Sequence, residues 1–134
     1  MSTLGIDHLG LTTGDLPATR DFFRDVLGWR EVGGDPGYPM IVMTDGHARL
    51  TLWARRGQGA FDRHENAGLH HLCLAMASEE ALGAAHALAE GVAGVMIEFA
   101  PEFNKSGPAV HCMLREPGGC RIELRYTPPA EDAP

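Results

Sequence analysis

Two pairs of tetrads in this chain correspond to each other. His8-Leu9-Gly10-Leu11 lies over His71-Leu72-Cys73-Leu74, and Arg49-Leu50-Thr51-Leu52 lies over Arg121-Ile122-Glu123-Leu124. Within its half, each tetrad occupies the same place, on the opening or the closing strand. Such self-similarity constrains the fold to a duplicated unit whose halves bury their apolar faces together.

The elements between the tetrads follow one order twice. Leu4 to Thr12 alternates with the period of a strand. Pro17 suits a first helical turn, and Phe22, Phe23, Val26 and Leu27 recur at helical spacing up to Gly28, so a helix is expected over 17–27. Trp29–Val32, Tyr38–Thr44 and His47–Ala54 read as strands, with Gly33–Gly37 a loop and Asp45-Gly46 a hairpin turn. The second half repeats this with a strand at Leu69–Met76 and a helix between the cap Ser78 and Gly91. Strands follow at Val95–Phe99, Ala109–Leu114 and Cys120–Tyr126. The expected fold is α+β, with two tandem βαβββ modules forming a curved mixed sheet around a cavity. One domain spans 1–127: a first module at about 4–55, a linker at 56–67 and a second module at about 68–127. Residues 128–134 form a flexible tail, rich in proline and acidic.

Charge narrows the partners. Eleven Lys and Arg against 18 Asp and Glu leave a net −7 over 134 residues, the wrong sign for a general nucleic-acid binder. No apolar run reaches the ~20 residues of a membrane span, and no basic segment followed by an apolar one marks a signal peptide. Cys73, Cys112 and Cys120 are odd in number and lack paired spacing, so they read as free thiols of a cytoplasmic protein. The small size favours an oligomer.

In a pseudo-twofold duplication, His8, His71, Thr51 and Glu123 are equivalent positions, each read as mid-strand. Any one of them alone is more simply a hydrogen-bonded or solvent-facing residue. Taken together, His8, His71 and Glu123 make a donor set of two imidazoles and a carboxylate, suited to Fe, Mn, Zn, Ni or Co as a divalent ion. Thr51 fills the fourth place with a neutral hydroxyl.

The chain resembles the vicinal oxygen chelate superfamily, which includes glyoxalase I, bleomycin-resistance proteins, fosfomycin-resistance transferases and extradiol dioxygenases. The resemblance covers residues 4–126. Its carriers are Ile6-Asp7-His8-Leu9-Gly10-Leu11, Asp15-Leu16, Phe22-Phe23 and Leu27-Gly28-Trp29, then Gly68-Leu69-His70-His71-Leu72. Glu116-Pro117-Gly118-Gly119-Cys120-Arg121-Ile122-Glu123-Leu124 is similar to the family's closing motif. The resemblance implies a divalent metal on His8, His71 and Glu123, and a small-molecule substrate chelating it through neighbouring oxygens. It also implies a homodimer, and lyase or isomerase chemistry, or ring-cleaving dioxygenase chemistry. Glyoxalase I has a carboxylate where Thr51 stands. The dioxygenases carry further acid/base residues where Asn104 and Met113 stand, and the fosfomycin pattern does not map onto Lys105 and Ser106. Bleomycin-binding members generally lack the metal triad, and a drug- or metabolite-binding protein without catalysis is the alternative.

Other residues have two readings each. His111 has the strand parity to face Glu123, either as an acid/base group or as a buried hydrogen-bonded histidine. Thr51, Trp53, Met113 and Arg63 are candidates for substrate contact, against core packing or a solvated loop. His70 is expected on the face opposite His71, His47 and His86 at the surface, and Cys73 as a small buried thiol.

Overall fold

The computed structural model describes residues 2–130. The end of the expected tail, residues 131–134, lies outside the described residues. The chain divides into two compact units, one of Met1–Ala60 with Glu116–Cys120, the other of Phe61–Arg115 with Arg121–Pro134.

The first unit contains β1 (Leu9–Thr13), α1 (Leu16–Asp25), β2 (Arg30–Asp35), β3 (Met40–Thr44) and β4 (Arg49–Ala54). Its sheet has the order β1-β4-β3-β2, with β1 parallel to β4 and the remaining pairs antiparallel. The second unit repeats the plan with β5 (Leu72–Ala75), α2 (Glu79–Glu90), β6 (Met96–Phe103), β7 (Val110–Arg115) and β8 (Arg121–Tyr126). Its order is β5-β8-β7-β6, again with only the first pair parallel. Two βαβββ modules with mixed sheets are the expected fold.

Local chemistry starts both helices. The Asp15 carboxylate accepts from Ala18 N at 3.0 Å, and Pro17 follows where its missing N–H costs nothing. Ser78 Oγ accepts from Ala81 N at 3.0 Å, with Glu79 and Glu80 at the positive end of the helix dipole. Each helix buries one stripe against its own sheet. Phe22 and Phe23 lie under α1 with Trp29, whose ring stands 5.3 Å from Phe23. Leu82, Ala85 and Ala89 line α2. His86 shares that stripe and is buried, with Nδ1 3.0 Å from Glu90, where the sequence suggested a surface residue. Its position four residues after Leu82 puts it on the apolar side.

Several strand limits differ from the expected ones. β1 begins at Leu9 and not Leu4, its pairing with β4 starting at Leu9 opposite Leu50; Leu4 and Ile6 are exposed. β5 likewise begins at Leu72, opposite Ile122. β4 starts at Arg49 and not His47, because the Asp45 carboxylate takes the His47 and Ala48 amides at 2.8 and 2.7 Å. Gly33 and Gly34, expected in a loop, belong to edge strand β2, with a bulge between Glu31 and Gly33. A Cβ on Gly34 would sit 2.6 Å from the Met40 carbonyl oxygen, so only glycine lets β2 approach β3 here.

No helix among the described residues is long and apolar enough to cross a membrane. The three cysteines are free thiols.

Candidate functional site

In the second unit, strand parity sets the site. Ile122 and Leu124 are fully buried, and Glu123 between them turns to the opposite face of β8. There it is still only 8 % exposed. Glu123 pairs in register with Met113 on β7 and Cys73 on β5. Its Oε1 lies 2.8 Å from His111 Nδ1, and its Oε2 lies 3.0 Å from His71 Nε2. Phe99 covers His111, ring to ring at 4.9 Å. Partial burial by itself would raise the Glu123 carboxyl. The hydrogen bond and positive charge of His111, with the charge of His71, outweigh it and hold the group below its ordinary value.

His71 lies one residue before β5, so it is not mid-strand as expected. His70 is likewise outside the strand, and the two rings meet on the same side. Their Nδ1 atoms are 2.7 Å apart, which replaces the expected opposite-face placement. Arg121 Nη1 lies 3.4 Å from His70 Nδ1. A guanidinium only donates, so His70 Nδ1 accepts, and His71 donates to it through Nδ1–H. His71 Nε2 faces a carboxylate oxygen of Glu123 at 3.0 Å. That distance suits a hydrogen bond from Nε2–H to the carboxylate, and it also suits two ligands of one metal ion. Two donors each about 2.1 Å from a metal at a right angle are about 3.0 Å apart. The pair therefore fits the donor set of a divalent ion, with His111 orienting the carboxylate from behind.

Cys73 is exposed, contrary to the buried thiol expected. Partial desolvation, then the Glu123 carboxylate, push its thiol up to about 11, so it is no nucleophile near neutrality. Met113 is buried beside Glu123. Arg63 is partly buried, and its Nε has no hydrogen-bond partner among the described residues.

In the first unit, His8 stands one residue before β1, as His71 does before β5, and is likewise not mid-strand. Thr51 sits opposite Gly10, as Glu123 sits opposite Cys73. Register thus reproduces the equivalence of the tetrads within each unit. His8 is exposed, and its Nδ1 lies 2.7 Å from Asp7 Oδ1. This pairing leaves Nε2 available as a ligand atom. Trp53 Nε1–H donates to Thr51 Oγ1 at 3.1 Å. Among the described residues, no three or more His, Cys, Asp or Glu side chains form a ready metal-binding group.

The sequence reading missed Asp7, His70 and Phe99. Asp7 and His70 each adjoin a candidate ligand in sequence, and this adjacency was the available signal. Phe99 reaches His111 only through the pairing of β6 with β7, for which no local pattern exists.

Comparison with known proteins gives the following. A family model described as the Glyoxalase/Bleomycin resistance protein/Dioxygenase superfamily matches residues 5–124. No curated protein matches. Among solved structures, a glyoxylase/bleomycin resistance protein/dioxygenase domain from Frankia sp. superposes with a TM-score of 0.80 at 20% identity, covering 97% of this chain and 96% of that one. Lactoylglutathione lyase from Agrobacterium tumefaciens gives 0.69 at 21% identity, covering 94% and 96%. A possible glyoxalase from Bacillus cereus gives 0.69 at 24%, covering 91% and 98%. At these identities the likeness is one of fold.

Proposed function

Because the chain belongs to the Glyoxalase/Bleomycin resistance protein/Dioxygenase superfamily, we propose that it is a metal-dependent enzyme acting on a small molecule. His71 and Glu123, with His8 as a third ligand, hold a divalent ion drawn from Fe, Mn, Zn, Ni or Co. The observation that carries this reading is the 3.0 Å approach of His71 Nε2 to Glu123 Oε2. His8 joins on its register position and its free Nε2. When bound, the ion supplies Lewis-acid polarisation of a substrate oxygen.

The remaining work falls to the chain's own side chains. His111 fixes the Glu123 carboxylate through Nδ1 and keeps Nε2 to take or give a proton. Met113 and Phe99 flank these groups with apolar surface, which strengthens the electrostatic interactions there. Thr51 occupies the place equivalent to Glu123. Its hydroxyl can bond a substrate oxygen, but it is no base near neutral pH. Proton transfer therefore rests on His111 and Glu123, not on a pair of carboxylates, which disfavours strict glyoxalase I isomerisation. Lyase, isomerase and ring-cleaving dioxygenase chemistry all remain compatible with this donor set. A homodimer is proposed as the working assembly, to be checked by sedimentation.

Elemental analysis of untagged protein tests the reading. Wild type should carry a transition metal, and His71→Ala and Glu123→Ala should lose it. Unchanged metal content in both variants would overturn the assignment. Hemithioacetal turnover, and oxygen uptake with catechols after anaerobic iron loading, then separate the reaction classes. Tight ligand binding by a metal-free, inactive protein would identify a binder instead.

A further inference from the structure

A second group of side chains lies wholly in the first unit. Tyr38 and Trp53 meet edge to face, with ring centroids 5.2 Å apart and planes at 73°. Trp53 is held in place by its indole N–H, which donates to Thr51. The Arg56 guanidinium lies over the Tyr38 ring, 4.8 Å from its centroid. These residues, with Thr12 and Ala54, line an open recess of about 460 Å³. Tyr38 is 49 % exposed, so the aromatic corner faces solvent.

Arg56 is the informative member. The arginines in carboxylate pairs are Arg20, Arg24, Arg115 and Arg121. Neighbouring Arg55 reaches Gln58 Oε1 at 3.2 Å. Among the described residues Arg56 has no carboxylate partner, in a chain whose net charge is −7. The cation–π contact with Tyr38 holds the guanidinium over the ring. The N–H groups along its edge stay free, in the fork that matches a carboxylate.

We propose that this recess binds a flat aromatic carboxylate, with its ring against Trp53 and Tyr38 and its carboxylate on the edge of Arg56. The aromatic pair selects a ligand with a π face, because edge and face interactions favour rings over aliphatic chains of equal size. The unpaired guanidinium selects the anion over its neutral amide. The inference goes beyond the proposed metal chemistry and uses none of its ligands.

The test is a titration followed by the two tryptophan indole N–H resonances. Trp29 is 5 % exposed and serves as the internal reference. The probes are 2-naphthoate, 2-naphthamide and cyclohexanecarboxylate, with EDTA present so that no metal takes part. 2-Naphthoate should shift the Trp53 signal saturably and leave Trp29 in place. 2-Naphthamide and cyclohexanecarboxylate should bind about tenfold more weakly, the scale of a single charge-assisted hydrogen bond or a single aromatic pair. Arg56→Gln should bring the acid down to the level of the amide, and Tyr38→Leu should weaken both aromatic probes. An unmoved Trp29 signal in each variant reports an intact fold. Glu123→Gln should titrate like wild type, so loss of the metal reading would leave this result standing. Equal binding of acid and amide, an unaltered Arg56→Gln, or no saturable Trp53 shift would each overturn the proposal.

Discussion

The Thr19 hydroxyl donates to Glu116 Oε2 at 2.8 Å, across 97 positions of sequence. Both groups are essentially shut off from solvent. Glu116 also accepts from Gly118 N at 2.7 Å and Cys120 N at 2.9 Å, so one carboxylate satisfies the turn that follows it and the helix α1. Thr13 completes the relay at 2.6 Å from Thr19, and takes the Asp15 amide at 3.1 Å. A buried carboxylate this fully partnered is costly to remove. Glu116→Ala should lose about 2–4 kcal/mol in urea unfolding, because it strands buried donors. Glu116→Gln should lose less, since its amide oxygen still accepts.

Two adjacent glycines in that turn should respond differently to alanine. A Cβ on Gly118 would run into the Thr13 and Thr19 hydroxyls and lie 2.9 Å from Glu116 Oε1. Gly118→Ala should cost about 2–3 kcal/mol through overpacking, and Thr13→Ala should partly rescue it in the double variant. Gly119 has open space but a φ of +94°. Gly119→Ala should therefore cost about 1 kcal/mol, from backbone strain alone. Thermal melts of the four variants check the order.

Acid should unfold the second unit partly through Glu98. Arg121 donates to it through Nε and Nη2, and Arg115 adds Nε at 3.1 Å. Arg121 foremost, opposed by some desolvation and aided by Arg115, brings the carboxyl from 4.5 down to about 2. The folded value lies below the unfolded one, so its stabilisation is complete above pH 4.5 and is lost as pH falls towards 2. Glu98→Gln should lose about 2 kcal/mol at neutral pH, after allowance for the solvent on Arg115. It should also flatten the stability profile between those two values. A parallel profile in wild type and variant would refute the linkage.

His111 and Glu123 should separate by degree in metal titrations. Glu123→Ala removes a ligand and should abolish binding of added Zn or Mn. His111→Ala removes only the group that orients the carboxylate, and should weaken affinity about 10–100-fold. Calorimetry on protein stripped with EDTA measures both.

The legible parts of this molecule were the local ones. Asp15-Leu16-Pro17 and Ser78-Glu79-Glu80 announce helix starts because their caps act within three residues. Strand parity put His111 and Glu123 on one face, and they do meet. What the sequence hid depends on distant partners. The first strand looks long from Leu4 because its alternation is good, yet its pairing with β4 begins only at Leu9. Gly33 and Gly34 look like a loop by composition, and only the close approach of β3 explains them. His86 is buried although histidine is polar, because its helical phase, four residues after Leu82, places it on the apolar stripe.

The assignment of Glu116–Cys120 to the first unit also bears on how the chain is made. At roughly 5–20 residues per second, Glu116 is added about 5–20 s after Thr19. During that interval the Thr19 hydroxyl lacks its Glu116 acceptor. The first unit becomes complete only when nearly the whole chain has been synthesised. The second half of the chain thus lends a turn to the first unit, and a cut in the linker would leave that unit without it.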